Sequence, residues 1–255
     1  MTTLTVSDTA YSIAAMRAEE ASLPASERLF DDPYALIFAA AGEHAREGTD
    51  RLTVTPFFRE GIRLRTRGID DCVRDAFADG IRQLVLLGAG LDARALRLPE
   101  LRAPDARAFE IDLPGILERK RALLDAAGVA IPDTLRTVTC DFTTDFTETL
   151  RASLLDAGFD PARPAIFVWE GVLPYIGQDA VERSLRFMHA IGAPGSRVVF
   201  DFSEYAFARG TAEEHVKNAG FGDFRVIGFD DLTRRHLGGE PSQGAMIMKI
   251  GVAVK

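Results

Sequence analysis

Cysteine is scarce in this chain of 255 residues: Cys72 and Cys140 are the only two, and they lie far apart. Two distant thiols make neither a disulfide framework nor a metal-ligand spacing, so both are expected to be reduced, in a cytoplasmic protein. Histidine is as sparse. His44, His189, His215 and His236 are scattered, with no His-x-x-x-His pair, and no metal site is expected. No apolar run approaches the roughly 18 residues that suggest a membrane span, so no membrane partner is expected. The opening stretch "MTTLTVSDTAYSIAAMRAEEAS" has no basic flank ahead of an apolar core, which argues against a secretory signal. Positive charge is also in deficit. Lys and Arg number 30 against 38 Asp and Glu, a formal net charge of −8. Such a surface repels phosphate backbones, so nucleic acid is not expected as a partner. The single dense basic stretch is "FFREGIRLRTRG" (Phe57–Gly68). Repeats and low-complexity tracts are absent.

What is present is an apolar fraction of 47%, enough for one large α/β domain or one domain with a small cap. Residues 7 to 80 read as helical with loops. In "IDDCVRDAFADG" the spacing puts Ile69, Cys72, Val73 and Phe77 on one helical face. From Leu84 the pattern changes to short apolar or β-branched runs. Seven candidate strands follow: Leu84–Leu87, Arg107–Ile111, Arg136–Cys140, Ala165–Trp169, Arg197–Phe202, Phe224–Ile227 and Ala245–Val254. Helical patterns separate the first five. "LPGILERKRALLDAAG" is the clearest, with Pro114 in its first turn, an apolar face of Ile116, Leu117, Leu123 and Leu124, and Gly128 as a stop. Gly158 and Gly192 end two further helices in the same way. Such alternation predicts a parallel sheet covered by helices on both sides. The last two strands, separated by a short helical piece "DDLTRRHL", suggest an antiparallel edge hairpin.

Ligands of open parallel sheets bind at the carboxyl ends of the strands. After the first strand comes "GAGLDA", where Gly88 and Gly90 let the backbone approach a ligand closely. A dinucleotide turn tolerates this pattern, but Asp92 is unwelcome beside a pyrophosphate. Asp112, at the tip of the second strand, can accept both hydroxyls of a ribose, or cap the helix that follows. Asp141, after the third strand, can accept an adenine amino group with Phe142 covering the ring; a turn aspartate is the alternative. Glu170 ends the fourth strand, where a carboxylate suits a cationic sulfonium, although a cap or salt bridge would use the same residue.

Taken in order, "RLFDDPYA" (Arg28–Ala35), "RTRGIDD" (Arg65–Asp71), "LLGAGLDARALRL" (Leu86–Leu98), "FEIDLPGILERK" (Phe109–Lys120), "CDF" (Cys140–Phe142) and "WEGVLPYI" (Trp169–Ile176) make the chain resemble the leucine carboxyl methyltransferase family. The resemblance is to its bacterial branch of S-adenosylmethionine-dependent O-methyltransferases, which includes polyketide-tailoring enzymes. It implies an α/β class I methyltransferase fold, Rossmann-like, with a seven-stranded mostly parallel sheet and a helical cap: residues 1–80 as cap or lid, 81–255 as cofactor-binding domain. It implies S-adenosyl-L-methionine as cofactor and S-adenosyl-L-homocysteine as product. Arg65 and Arg17 would clamp the methionine carboxylate, with Arg63 and Arg67 as neighbouring alternatives. Gly88, Gly90, Asp112, Asp141, Phe142 and Glu170 would take cofactor roles. The family commonly has leucine where this chain has Phe142. The region between the last strands is shorter than in the phosphatase-modifying members, which points to a small molecule as acceptor.

A carboxylate acceptor needs no general base, whereas a phenol benefits from one. Tyr175, Asp201 and Tyr205 follow the fourth and fifth strands, where an acceptor would bind, and Glu170 and Tyr175 are the catalytic candidates. His189 reads as structural. An NAD-dependent reductase and a non-catalytic cofactor-binding regulator are the competing readings. A monomer or homodimer is expected.

Overall fold

A computed structural model of the chain describes residues 6–42, 56–203, 206–207, 210–240 and 248–255. The strands are β1 (Gln83–Leu87), β2 (Arg107–Asp112), β3 (Leu135–Thr139), β4 (Ala165–Trp169), β5 (Arg197–Phe202), β6 (Asp223–Gly228) and β7 (Lys249–Val254). They form one seven-stranded sheet in the order β3-β2-β1-β4-β5-β7-β6. The first five pair in parallel, and β7 runs antiparallel to β5 and β6.

Every residue of β1 and β4 is buried, which is why their sequences read as unbroken apolar runs rather than alternations. Alternate residues face opposite layers. In β1, Leu84 and Leu86 join one core cluster, while Val85 and Leu87 join the other. Expected strand ends move by one residue in β1, β2, β3 and β6, and by more at the start of β7. β3 starts at Leu135 and leaves Cys140 beyond its end. β7 begins at Lys249, and positions 245–247 of the expected strand lie outside the described residues. The last two strands do form the expected antiparallel hairpin at the edge of the sheet, with β7 on its inner side against β5 and β6 outermost. The central residues of β7, Ile250 to Ala253, are buried, whereas β6 exposes Asp223, Arg225 and Val226. The continuously apolar strand takes the interior place and the charged one the edge.

Among the helices, α1 (Val6–Glu20), α2 (Pro33–Ala41) and α3 (Pro56–Ala78) precede the sheet. Residues 43–55 of the segment expected to be helical with loops lie outside the described residues. Ile69, Cys72, Val73 and Phe77 are all buried on α3, in the same cluster as Leu84, Leu86 and Ile166. Helix α3 therefore packs on the sheet itself, while α1 lies against α2 and α3. After β1 come the short α4 (Arg94–Arg97), then α5 (Pro114–Ala126), α6 (Thr147–Asp156), α7 (Gln178–Ile191), α8 (Ala212–Asn218) and α9 (Phe229–His236). Helices α5, α6 and α7 stop ahead of Gly128, Gly158 and Gly192, as their sequences indicate. Among the described residues no helix is long and apolar enough to cross a membrane.

Phe167, fully buried in β4, touches Phe159 across a centroid distance of 6.3 Å. A Phe167→Ala change is expected to cost about 3–5 kcal/mol. It should appear in urea unfolding as a lower midpoint with an unchanged slope.

Candidate functional site

A cavity of about 220 Å³ opens at the carboxyl ends of β1, β2 and β4, and all the expected cofactor residues and both catalytic candidates border it. Arg17 comes from α1 and Arg65 from α3. Gly88 and Gly90 form the turn after β1, and Asp112 ends β2. Asp141 and Phe142 follow β3, Glu170 follows β4, and Tyr175 closes the 3-10 turn Leu173–Tyr175. Asp201 is not part of the wall, and Tyr205 lies outside the described residues. His189 stands edge-on to Phe221, at a centroid distance of 5.2 Å, which agrees with a structural role.

The glycine turn is shaped by two left-handed residues, Gly88 at φ 67° and Gly90 at φ 47°. A Cβ on Gly88 would come within 2.4 Å of Val172, so only glycine fits without strain. Asp112 holds the turn from beneath. Its Oδ2 accepts the Gly90 N–H at 2.7 Å, and its Oδ1 accepts the Leu113 N–H at 2.7 Å. The alternative reading of Asp112 as a helix cap fails, because Leu113 occupies the cap position of α5 without a side-chain bond. Burial pushes the Asp112 carboxyl up, against the pull of those two amides. Each of its oxygens keeps a lone pair for a further donor.

Asp141 does make the turn that its sequence also allowed. Its Oδ1 accepts the Thr143 N–H at 2.9 Å and the Thr143 hydroxyl at 2.6 Å, which hold its carboxyl below the usual range. Phe142 is buried and meets Phe146 edge-on at 5.3 Å; Phe146 in turn meets Phe187 at 5.7 Å. That ladder fixes the ring from behind.

The charged part of the cavity lining is backed by a continuous chain of ion pairs. Arg17 meets Asp32 at 3.0 Å, Asp32 meets Arg97 at 3.7 Å, and Arg97 meets Asp70 at 2.6 Å. Asp70 meets Arg94 at 2.8 Å, and Arg94 binds both Asp92 and Glu170. Glu170 then meets Arg65 at 2.8 Å, and Arg65 meets Asp201 at 2.9 Å. Asp201 also accepts the Gly171 N–H at 2.6 Å. Burial alone would raise the Glu170 carboxyl, but Arg94 and Arg65 outweigh it and hold the group below the usual carboxylate range.

The salt-bridge reading of Glu170 is therefore correct, and it coexists with a place on the cavity wall. Arg65 is the arginine of its stretch that reaches the cavity. Arg63 turns to Glu20 at 2.6 Å, and Arg67 to Asp71 at 2.8 Å. Arg17 is already held by Asp32 and by the Leu91 carbonyl at 2.6 Å. Asp70, Arg94 and Arg97 escaped the sequence reading. Their one signal was charge at helical positions otherwise surrounded by apolar residues. Among the described residues no cluster of His, Cys, Asp and Glu could hold a metal ion.

Residues 10–189 match the leucine carboxyl methyltransferase family. The chain belongs to that family. It is 38% identical over 221 residues to a protein of Parafrankia sp. named as an S-adenosyl-L-methionine-dependent methyltransferase, spanning 84% of this chain and 67% of that one. It is 40% identical over 208 residues to a Mycolicibacterium vanbaalenii protein of the same description, spanning 76% and 66%. The chain thus spans about two thirds of the length of these relatives. A Thermobifida fusca methyltransferase crystal structure superposes with a TM-score of 0.61 at 22% identity, covering 91% of this chain and 97% of that one. The fold is the α/β class I methyltransferase fold, seven-stranded and mostly parallel with helices ahead of it.

Cys140 borders the cavity, and burial pushes its thiol up to about 12; burial likewise puts Cys72 at about 11. Neither thiol should react with iodoacetamide in the folded protein at about pH 8. Both should react in denaturant, as read by mass spectrometry.

Proposed function

We propose that this member of the leucine carboxyl methyltransferase family transfers a methyl group from S-adenosyl-L-methionine to an oxygen of a small molecule, a carboxylate or hydroxyl of a secondary metabolite such as a polyketide. The observation that carries the reading is the convergence of the Gly88–Gly90 turn, Asp112, Glu170 and two arginines on one cavity. The cofactor of this chain is S-adenosyl-L-methionine, and the residues present fit it. Asp112 has the free lone pairs for a ribose diol. The buried Phe142, with Leu113 and Ile116 on the same wall, offers an apolar slot for an adenine. Arg65 and Arg17 suit the methionine carboxylate. Asp92 and Glu170 suit the ammonium and sulfonium, and their place on the wall disfavours a dinucleotide pyrophosphate. The ion-pair chain holds one more carboxylate than guanidinium, the right imbalance for a cofactor of net positive charge.

When bound, that cofactor supplies an activated methyl group on a cationic sulfur. The protein's part is alignment and exclusion of water. Ile13, Ala10 and Thr9 of α1 border the cavity, which supports α1 as part of a cap over it. Glu170 is engaged by two arginines that hold it ionised, so it is not free to take a proton, and Asp201 is paired with Arg65 off the cavity wall. Tyr175, at 45% exposure, stands at the mouth and orients the acceptor through its hydroxyl. This arrangement favours an acceptor that is already an anion, a carboxylate above a phenol. The protein would act in the cytoplasm, as a monomer or homodimer, with no nucleic-acid or membrane partner.

Calorimetric titration should give micromolar binding of S-adenosylhomocysteine and none of NADH. Asp112→Ala should weaken S-adenosylhomocysteine by about 2–3 kcal/mol, the worth of charge-assisted bonds to the ribose and to the turn. Binding of NADH alone would overturn the reading. Cofactor binding without methyl transfer to any of a panel of carboxylic acids and phenols would favour a regulator.

A further inference from the structure

Arg94 is almost wholly enclosed, at 1% exposure, and does not border the cavity. It stands behind the wall and binds two residues that do border it. One guanidinium nitrogen, Nη1, donates to both Asp92 and Glu170, which belong to the glycine turn and to the end of β4. Nε donates to Asp70 of α3 at 2.8 Å, and Nη2 reaches the Thr66 carbonyl at 3.3 Å. The Arg94 backbone N–H donates to Asp92 Oδ1 at 2.7 Å, so Asp92 is gripped from two sides. Helix α3, the glycine turn and the end of β4 thus meet on one planar group.

We propose that Arg94 is a positioning residue for the methyl-transfer reaction: its guanidinium holds the Asp92 and Glu170 carboxylates in register across the cavity wall, and so sets the cationic end of the cofactor site. The proposal rests on the function proposed above. Its physical basis is the spacing of like charges. Two buried carboxylates sharing one wall repel each other unless a cation lies between them. Other groups face them as well. Arg65 of α3 and Arg17 of α1 act on Glu170, and Arg17 and Arg97 act on Asp92. Of these only Arg94 touches both. Asp70 would keep Arg97 if Arg94 were lost, so the α3–α4 contact survives its removal. Without Arg94 the largest charge that holds Glu170 ionised is lost, while burial and the neighbouring Asp92 still favour its protonated form as the pH falls. Affinity for a cationic ligand group would then be present at high pH and lost on acidification.

The test is calorimetric titration of S-adenosylhomocysteine, whose ammonium the Asp92 and Glu170 carboxylates would receive, into the wild type, Arg94→Gln and Arg94→Lys at about pH 8 and about pH 6, with thermal melting alongside. The wild type should bind equally at both pH values. Arg94→Gln should bind roughly tenfold more weakly at the higher pH and lose roughly another tenfold at the lower. Arg94→Lys, which keeps the charge but not the fork, should lose roughly threefold at both. Wild-type affinity in a cooperatively melting Arg94→Gln overturns the proposal, as does a loss in that variant that is the same at both pH values, which a purely structural arginine would give. If Arg94→Gln does not fold, Arg94→Lys decides: wild-type affinity in it overturns the proposal. Failure of the wild type to bind at all overturns the methyltransferase reading, and the proposal with it.

Discussion

Four guanidinium groups and five carboxylates, alternating through the interior from Arg17 to Asp201, tie together almost every element that shapes the cavity. They reach from α1 through the cap of α2 to α3, the glycine turn, α4 and the ends of β4 and β5. Burying such charges is costly, and their mutual attraction does little more than offset that cost. Removing one member, however, leaves an uncompensated partner, at about 3–5 kcal/mol. The chain of ion pairs therefore contributes less to stability than to register. Helices ahead of the sheet cannot slide across it without separating charges in a dry interior.

This arrangement also explains where a strongly acidic protein puts its arginines. Arg17, Arg65, Arg94 and Arg97 are buried or nearly so, each paired with an interior carboxylate. The positive stretch around Arg65 looked like a surface patch only in one dimension. In three, Arg65 points inward to the cavity, and Arg63 and Arg67 are spent on acidic neighbours. No cationic face is needed to account for it.

The cavity lining is of two characters. Phe142, Leu113 and Ile116 contribute apolar surface, and Arg17, Arg65, Asp92 and Glu170 contribute charge. Asp112 serves both the fold and the site, since the oxygens that brace Gly90 and Leu113 are those offered to a ligand. Any change at Asp112 therefore alters turn geometry as well as recognition. Lys120 supports the same turn from α5, pairing with Glu110 at 2.8 Å and donating to the Asp92 carbonyl.

The sheet was legible because buried parallel strands announce themselves as apolar runs, and six of seven strands were placed to within one residue at each described end. The exception is the start of β7, where the apolar run continues back into residues outside those described. The position of β7 inside the sheet was not legible, since strand order depends on which edge is left charged. Gly88, Gly90, Asp112 and Glu170 could be read because the site sits at strand ends, and strand ends are local features. Asp70, Arg94 and Arg97 could not. Apart from Asp92 beside Arg94, their charged partners are 24 or more residues away in sequence, and nothing local distinguishes a buried arginine from a solvated one. The sequence by itself thus determined the strands, the glycine turn, the carboxylates at the strand ends and the family. The tertiary structure alone decided which charges face one another, because ion pairing in the interior depends on distances that only packing sets.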